Sequence, residues 1–174
     1  MTVLDKIEKH ELRELLTKGW MTHDAMWFFH SLSEFGIEKT NKVNMAAVDS
    51  MSQIEILRLR NIMGMKNIPI DSFEKLKKVM IGAFDIIKAD FMRFDMSFPE
   101  HNVIQWEWHK EVCFAYEGVK KMGVVDHYHC AILMRVEGWF KGLGISYRME
   151  PKVEKCLMHL QGRCTGRIIF DFTE

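Results

Sequence analysis

Apolar residues recur at three-to-five-residue intervals through the first 90 residues, which is typical of amphipathic helices. This pattern predicts four helices, at residues 3–17, 22–35, 38–63 and 73–87. Gly19, Gly36 and Gly64 are expected to end the first three, because glycine favours the backbone conformation that closes a helix. Asp71 to Glu74 has the sequence of a capping box and is expected to begin the fourth.

The period changes from Met92 onward, where apolar and polar residues alternate. The alternation predicts an antiparallel hairpin of strands 92–98 and 103–109 around the turn sequence 99–102. Two helices, at 113–122 and 126–143, and two strands, at 145–149 and 163–172, are expected to follow. This order predicts an α+β fold in one domain, 1–174, with a helical part (1–90) packed against an α+β part (91–174) that carries an antiparallel sheet.

The composition is that of a globular protein, with 48% hydrophobic and 28% charged residues. The formal net charge is zero, whereas general nucleic-acid binders usually carry a basic excess. The apolar runs are too short for a membrane span, and residues 1–9 lack the apolar core of a signal peptide. We therefore expect a cytoplasmic protein without a nucleic-acid or membrane partner.

All four cysteines lie from residue 113 onward, and three histidines accompany them there. Thiolates and imidazoles are the ligands that zinc and iron prefer in proteins. The sequence therefore predicts a zinc or iron site, including an iron–sulfur cluster as one form. The expected ligands are Cys130, Cys156 and Cys164, with Cys113, His159 and His127 competing for the fourth place.

Local spacing supports part of this ligand set. Cys156 and His159 have the C-x-x-H spacing with which two ligands can bind one metal from a tight turn. Cys130 is predicted in the first turn of a helix, where the helix dipole favours a thiolate. A reactive Cys130 thiol, or four cysteines that only pack in the core, are the other interpretations.

The segment from Trp20 to His30 is rich in aromatic residues. Trp27, His30 and Glu34 follow one another at three- and four-residue spacing, so they share one helical face. This face is predicted to line a pocket for a polar aromatic ligand. Packing of the aromatic rings in the core, with the polar residues at its rim, is the alternative.

Several of these residues also resemble a known family. The shared positions are Trp20-Met21, Asp24-Ala25, Trp27-Phe28, Phe35-Gly36, the four cysteines, Gly123 and the closing segment Ile169-Phe170-Asp171-Phe172. The chain thereby resembles an uncharacterised prokaryotic family that is similar to the L-2-amino-thiazoline-4-carboxylic acid hydrolases. From Met92 onward its layout is also similar to the 4-vinyl reductase domain. The resemblance implies a ligand-binding α+β fold and a cysteine-rich site at Cys113, Cys130, Cys156 and Cys164, with His159 standing where the family has a further cysteine.

The leading expectation is an α+β protein that binds a metal and a small molecule. The second is a hydrolase that opens a cyclic C–N bond with metal-bound water or a Cys130 thiolate, and with Trp27, His30 and Glu34 as the substrate pocket. The third is a non-catalytic module that forms a homodimer or binds a partner. The sequence carries no G-x-S-x-G, P-loop, G-x-G-x-x-G or H-E-x-x-H motif that would name a reaction.

Overall fold

The computed structural model describes residues 1–173 and has the predicted α+β fold. Its helices are α1 (Lys9–Ile62), α2 (Phe73–Ile87), α3 (Phe114–Lys121), α4 (Ala131–Leu143) and α5 (Leu157–Gln161). Its strands are β1 (Phe94–Ser97), β2 (Val103–Trp108), β3 (Tyr147–Glu150) and β4 (Cys164–Phe170). Among the described residues, none of the helices combines the length and the apolarity that crossing a bilayer requires.

The four strands form one antiparallel sheet in the order β1-β2-β4-β3. On β2 the buried residues alternate as predicted from Ile104 to Trp108, while Val103 is buried as well, and the alternating residues lie opposite buried or small residues of β4. The opposed pairs are Ile104 with Ile168, Trp106 with Gly166, and Trp108 with Cys164. These side chains form the face of the sheet that packs on α2 and α4 in the hydrophobic core.

Helix α1 bends sharply at Gly36, whose φ of 75° and ψ of 171° are not helical. A residue with a side chain is strained at this φ, so the predicted break at Gly36 follows from its backbone. The predicted break at Gly19 is wrong, because the helix continues through it. A single glycine inside a helix costs only about 1 kcal/mol relative to alanine, which tertiary packing can offset.

The second half of α1 (37–62) packs closely on α4. A Cβ at Gly138 would collide with the Ser52 hydroxyl, and a Cβ at Gly142 would lie 2.9 Å from the Gln53 carbonyl oxygen. An ion pair beside this crossing joins Arg135 to Glu55, with Nε–Oε2 and Nη2–Oε1 distances of 2.8 and 2.5 Å. These contacts fix the orientation of α4, whose first turn follows Cys130.

The predicted helix 126–143 is interrupted near its start. A 3-10 turn covers Val125–His127, and α4 begins only after Cys130. The buried Asn41 side chain donates to the His127 carbonyl oxygen at 2.7 Å and accepts from the His129 N–H at 3.2 Å. This contact with α1 holds residues 128–130 extended, which a local sequence pattern cannot indicate.

Two smaller predictions also differ from the structure. The N-cap of α2 is Ser72, whose side chain accepts the Lys75 N–H, while Asp71 pairs with the Lys75 ammonium group. Helix α5 was not predicted, because five residues are too few to display a helical period.

Candidate functional site

Three of the four cysteines occupy the same structural position. Cys113, Cys130 and Cys156 are the N-cap residues of α3, α4 and α5, respectively. The unpaired backbone N–H groups of a helix start carry partial positive charge. At each cysteine burial raises the thiol pKa, and the N–H groups two and three positions further on face the sulfur and offset part of this rise. None of these three sulfurs completes a cap hydrogen bond within residues 1–173.

The loops that carry Cys130 and Cys156 are joined by main-chain contacts. His129 and Lys155, the residues before each cysteine, form an antiparallel bridge. The Cys130 N–H donates to the Glu154 carbonyl oxygen at 3.2 Å. These bonds place the starts of α4 and α5 side by side.

Cys113 and Cys164 are related through the end of β2. Cys164 begins β4 directly opposite Trp108. The Trp108 ring lies 5.8 Å from the ring of Phe114, the residue after Cys113. The start of α3 therefore lies over the end of the sheet that carries Cys164.

All four cysteines are buried and free. Burial raises the pKa of the Cys113 and Cys164 thiols to about 12 and that of Cys130 to about 11, and it also raises the pKa of Cys156. Neighbouring thiols add to the rise: Cys130 and Cys156 raise the pKa of Cys113, and these three raise the pKa of Cys164. In the metal-free protein the four thiols are therefore protonated at neutral pH.

A tryptophan N–H stands beside the fourth sulfur. The Trp106 ring lies over Gly166 on β4, where a Cβ would overlap it. The Trp106 Nε1 is buried without a hydrogen-bond partner among the described residues. It approaches the Cys164 sulfur, where its hydrogen atom partly offsets the rise that burial causes in the thiol pKa, although the contact is outside normal hydrogen-bond geometry. A buried donor whose acceptor is a neutral thiol is only weakly satisfied.

The sulfur and imidazole atoms do not converge on a point that one ion could occupy. Within residues 1–173, three potential ligand atoms lie mutually within 4.8 Å only at His10, Glu14 and Asp90. The expected cluster of cysteine and histidine ligand atoms is therefore not seen within this part of the chain. The sequence carries no local signal for the His10 group, because Asp90 joins it through tertiary packing. His10 contacts the Asp90 carboxylate at 3.0 Å, and Glu14 accepts the Asp90 N–H at 2.6 Å.

The two candidate histidine ligands lie at the surface, in contrast to the cysteines. The ring of His159 contacts the Asp126 carboxylate at 2.8 Å and lowers its pKa. The His127 side chain is exposed, and its backbone is held by Asn41. The C-x-x-H spacing of Cys156 and His159 therefore does not bring the imidazole into the buried surroundings of the sulfur.

Comparison with protein-family models, curated proteins and solved structures gives no significant match. The resemblance to the thiazoline-carboxylate hydrolases and to the 4-vinyl reductase domain stays a prediction from sequence.

The predicted pocket residues on α1 lie on two different surfaces. Trp27 lines a cleft of about 290 Å³ between the two halves of α1, whereas His30 and Glu34 are exposed outside its lining. An adjoining pocket of about 150 Å³ extends from this cleft towards the helix starts. Its lining includes residues next to Cys113 and Cys130, namely Phe114, Ala115, Tyr128, Ala131 and Ile132.

Proposed function

We propose that this protein binds an iron–sulfur cluster through Cys113, Cys130, Cys156 and Cys164. The observation that carries the proposal is the buried Trp106 N–H, which approaches the Cys164 sulfur and makes no hydrogen bond of normal geometry among the described residues. A neutral thiol is a weak acceptor, whereas a metal-bound thiolate is a strong one. Ligation of Cys164 would therefore give this donor a strong acceptor in place of a weak one.

The other three cysteines support the same chemistry. Each sulfur is faced by backbone N–H groups at the positive end of a helix. Such surroundings stabilise a thiolate once a metal removes the proton. Hydrogen bonds to the sulfurs are also one of the main factors that set the reduction potential of a protein-bound cluster.

The cysteine sulfur atoms do not converge on one point, which favours an iron–sulfur cluster over a single zinc ion. One ion requires its ligand atoms to lie close together, and no three atoms including a cysteine sulfur meet the 4.8 Å limit among residues 1–173. In a [4Fe–4S] cluster each thiolate binds its own iron, so the four sulfurs lie further apart. The cysteines couple electrostatically across α3, α4, α5 and β4, which fits a ligand set of this larger size.

The fourth ligand in this proposal is Cys113. The competing His159 already contacts Asp126 at the surface, and the His127 ring is exposed. Cys113, by contrast, is buried and coupled to both Cys130 and Cys156. Four thiolates and no imidazole are the common ligand set of iron–sulfur clusters.

The surroundings of the four cysteines are largely apolar. All four are buried, and their removal from water is the largest effect on the pKa of each thiol. Cluster potential depends on solvent exposure as well as on hydrogen bonding. A dry site of this kind suits electron transfer or structural binding.

We also propose that a small molecule binds beside the metal, in the pocket of about 150 Å³ that reaches α3 and α4. Hydrolysis by a Cys130 thiolate is less well supported, because burial raises the pKa of this thiol to about 11 and keeps it protonated. A hydrolase that acts through a metal remains compatible with the pocket, and this activity rests on the family resemblance.

Four single cysteine-to-serine variants, purified without oxygen after iron and sulfide reconstitution, test the proposed ligands. We expect each variant to lose most of the visible absorption of the cluster, because serine is a poor ligand for iron–sulfur clusters in proteins. His159→Ala is the matched control and is expected to keep the wild-type spectrum. If His159→Ala loses the visible spectrum and Cys113→Ser keeps it, the fourth ligand is His159. That outcome would contradict the proposed ligand set.

A further inference from the structure

We propose that the cleft between the two halves of α1 binds a small organic cation, of the alkylammonium or quaternary ammonium class. The cleft has a volume of about 290 Å³ and lies between residues 20–31 and 40–51. It is built from α1 alone, so this proposal does not depend on the cysteines.

Aromatic faces form one wall of the cleft. Trp20, Trp27 and Phe28 all line it, and 66% of the Trp27 surface is exposed. The Trp27 Nε1–H donates to His23 Nε2 at 3.0 Å, which holds an otherwise exposed indole in one orientation. A large aromatic side chain that is both exposed and held in place is suited to contact a ligand.

The charge of the cleft favours a cation. Asp24 is the charged residue in the lining that the structure describes, and the remaining polar members are Ser31, Thr40 and Asn44. His23 accepts a hydrogen bond at Nε2, which places its proton on Nδ1, 3.5 Å from an Asp24 carboxylate oxygen. An aromatic wall with a single carboxylate is the arrangement that recognises organic ammonium groups.

The arginine that lines the adjoining pocket leaves the charge of Asp24 unbalanced. Arg135 lines the adjoining pocket, but its guanidinium makes two hydrogen bonds to Glu55 and is neutralised there. The same guanidinium lies 4.5 Å from the centre of the Trp20 ring. One indole of this wall therefore already makes a cation–π contact within the protein.

Choline and its uncharged isostere 3,3-dimethylbutan-1-ol test the proposal, because they match in shape and differ in charge. Binding would be followed by calorimetry and by tryptophan fluorescence. We expect choline to bind at least roughly tenfold more tightly than the alcohol, which is within the range of cation–π and carboxylate contributions. Asp24→Asn and Trp27→Ala are each expected to weaken choline binding by roughly tenfold.

The matched control is Glu34→Gln, which removes a carboxylate of the same helix outside the cleft lining and is expected to leave choline binding unchanged. Equal binding of choline and the alcohol would mean an apolar site and would overturn the proposal. If choline does not bind and the protein is a dimer that Trp27→Ala dissociates, a second copy of the chain covers the cleft. That outcome would also overturn the proposal. The cysteine-to-serine variants are expected to keep choline binding. Failure of the proposed metal site would therefore leave the choline result unaffected.

Discussion

At the residue scale, the proposed metal site depends on hydrogen-bond donors that the sequence does not reveal. The positions of Cys113 and Cys130 near helix starts could be predicted, because capping and period are local properties. The Trp106 N–H could not, since its approach to Cys164 depends on the register of β2 and β4. The same register explains Gly166, which leaves room for the indole ring.

Trp106→Phe tests the role of this donor in the loaded protein. Loss of a hydrogen bond to a cluster thiolate destabilises the reduced state more than the oxidised state, because the reduced state carries more negative charge. We expect the reduction potential to fall by roughly 50 mV, on a scale where 59 mV corresponds to a tenfold change for one electron. Electrochemistry of the reconstituted protein measures this shift.

Trp139→Phe is the control for that experiment, because its Nε1–H donates to Glu55 at 2.8 Å rather than to sulfur. Its potential is expected to stay at the wild-type value. An equal shift in both variants would show that Trp106 acts only through packing.

At the element scale, the sequence predicts most helices and strands but not how they cross. Gly19, Gly36 and Gly138 are equivalent as residue types, and the structure uses them differently. Gly36 has a positive φ at a bend, Gly138 permits close approach of α1 and α4, and Gly19 is an open position within a helix. Propensity alone cannot identify the role of Gly138, since that role depends on a distant segment of the chain.

Gly138→Ala and Gly19→Ala form a matched pair for the α1–α4 crossing. Alanine at 138 would collide with Ser52, so we expect a loss of about 1–3 kcal/mol in the free energy of unfolding, as in other overpacked cores. Alanine at 19 has no neighbour within 4 Å among the described residues and should stabilise the helix by up to about 1 kcal/mol. Urea unfolding of both variants measures the difference, and equal effects would contradict the close crossing.

At the scale of the whole molecule, the predicted α+β fold with an antiparallel sheet is confirmed. The extended segment before α4 was not predicted, because Asn41 holds it from more than 80 residues away. That segment decides which elements meet at the cysteines. The sequence therefore supplies the residues of the proposed site, while their surroundings required the tertiary structure.

The buried thiols also predict how the stability of the metal-free protein depends on pH. Their pKa is raised from 9.0 in the unfolded chain to about 11 for Cys130 and about 12 for Cys113 and Cys164. Below pH 9 both states hold these protons, so the thiols add no pH dependence. Above pH 9 the unfolded state loses these protons before the folded state does. The free energy of unfolding should therefore fall by up to about 1.4 kcal/mol per pH unit for each thiol.

Urea unfolding of reduced, metal-free protein between pH 8 and 10.5 measures this decline. A Cys113→Ala/Cys164→Ala double variant is the control and is expected to have a shallower decline, because two of the thiols are absent. Identical slopes for the two proteins would mean that these thiols are not buried.

The content of iron, acid-labile sulfide and zinc in protein purified without oxygen tests the proposed iron–sulfur cluster directly. A cluster held by Cys113, Cys130, Cys156 and Cys164 predicts iron and sulfide in equal amounts, with zinc well below one equivalent per chain. One equivalent of zinc without sulfide, or no bound metal after reconstitution, would contradict it.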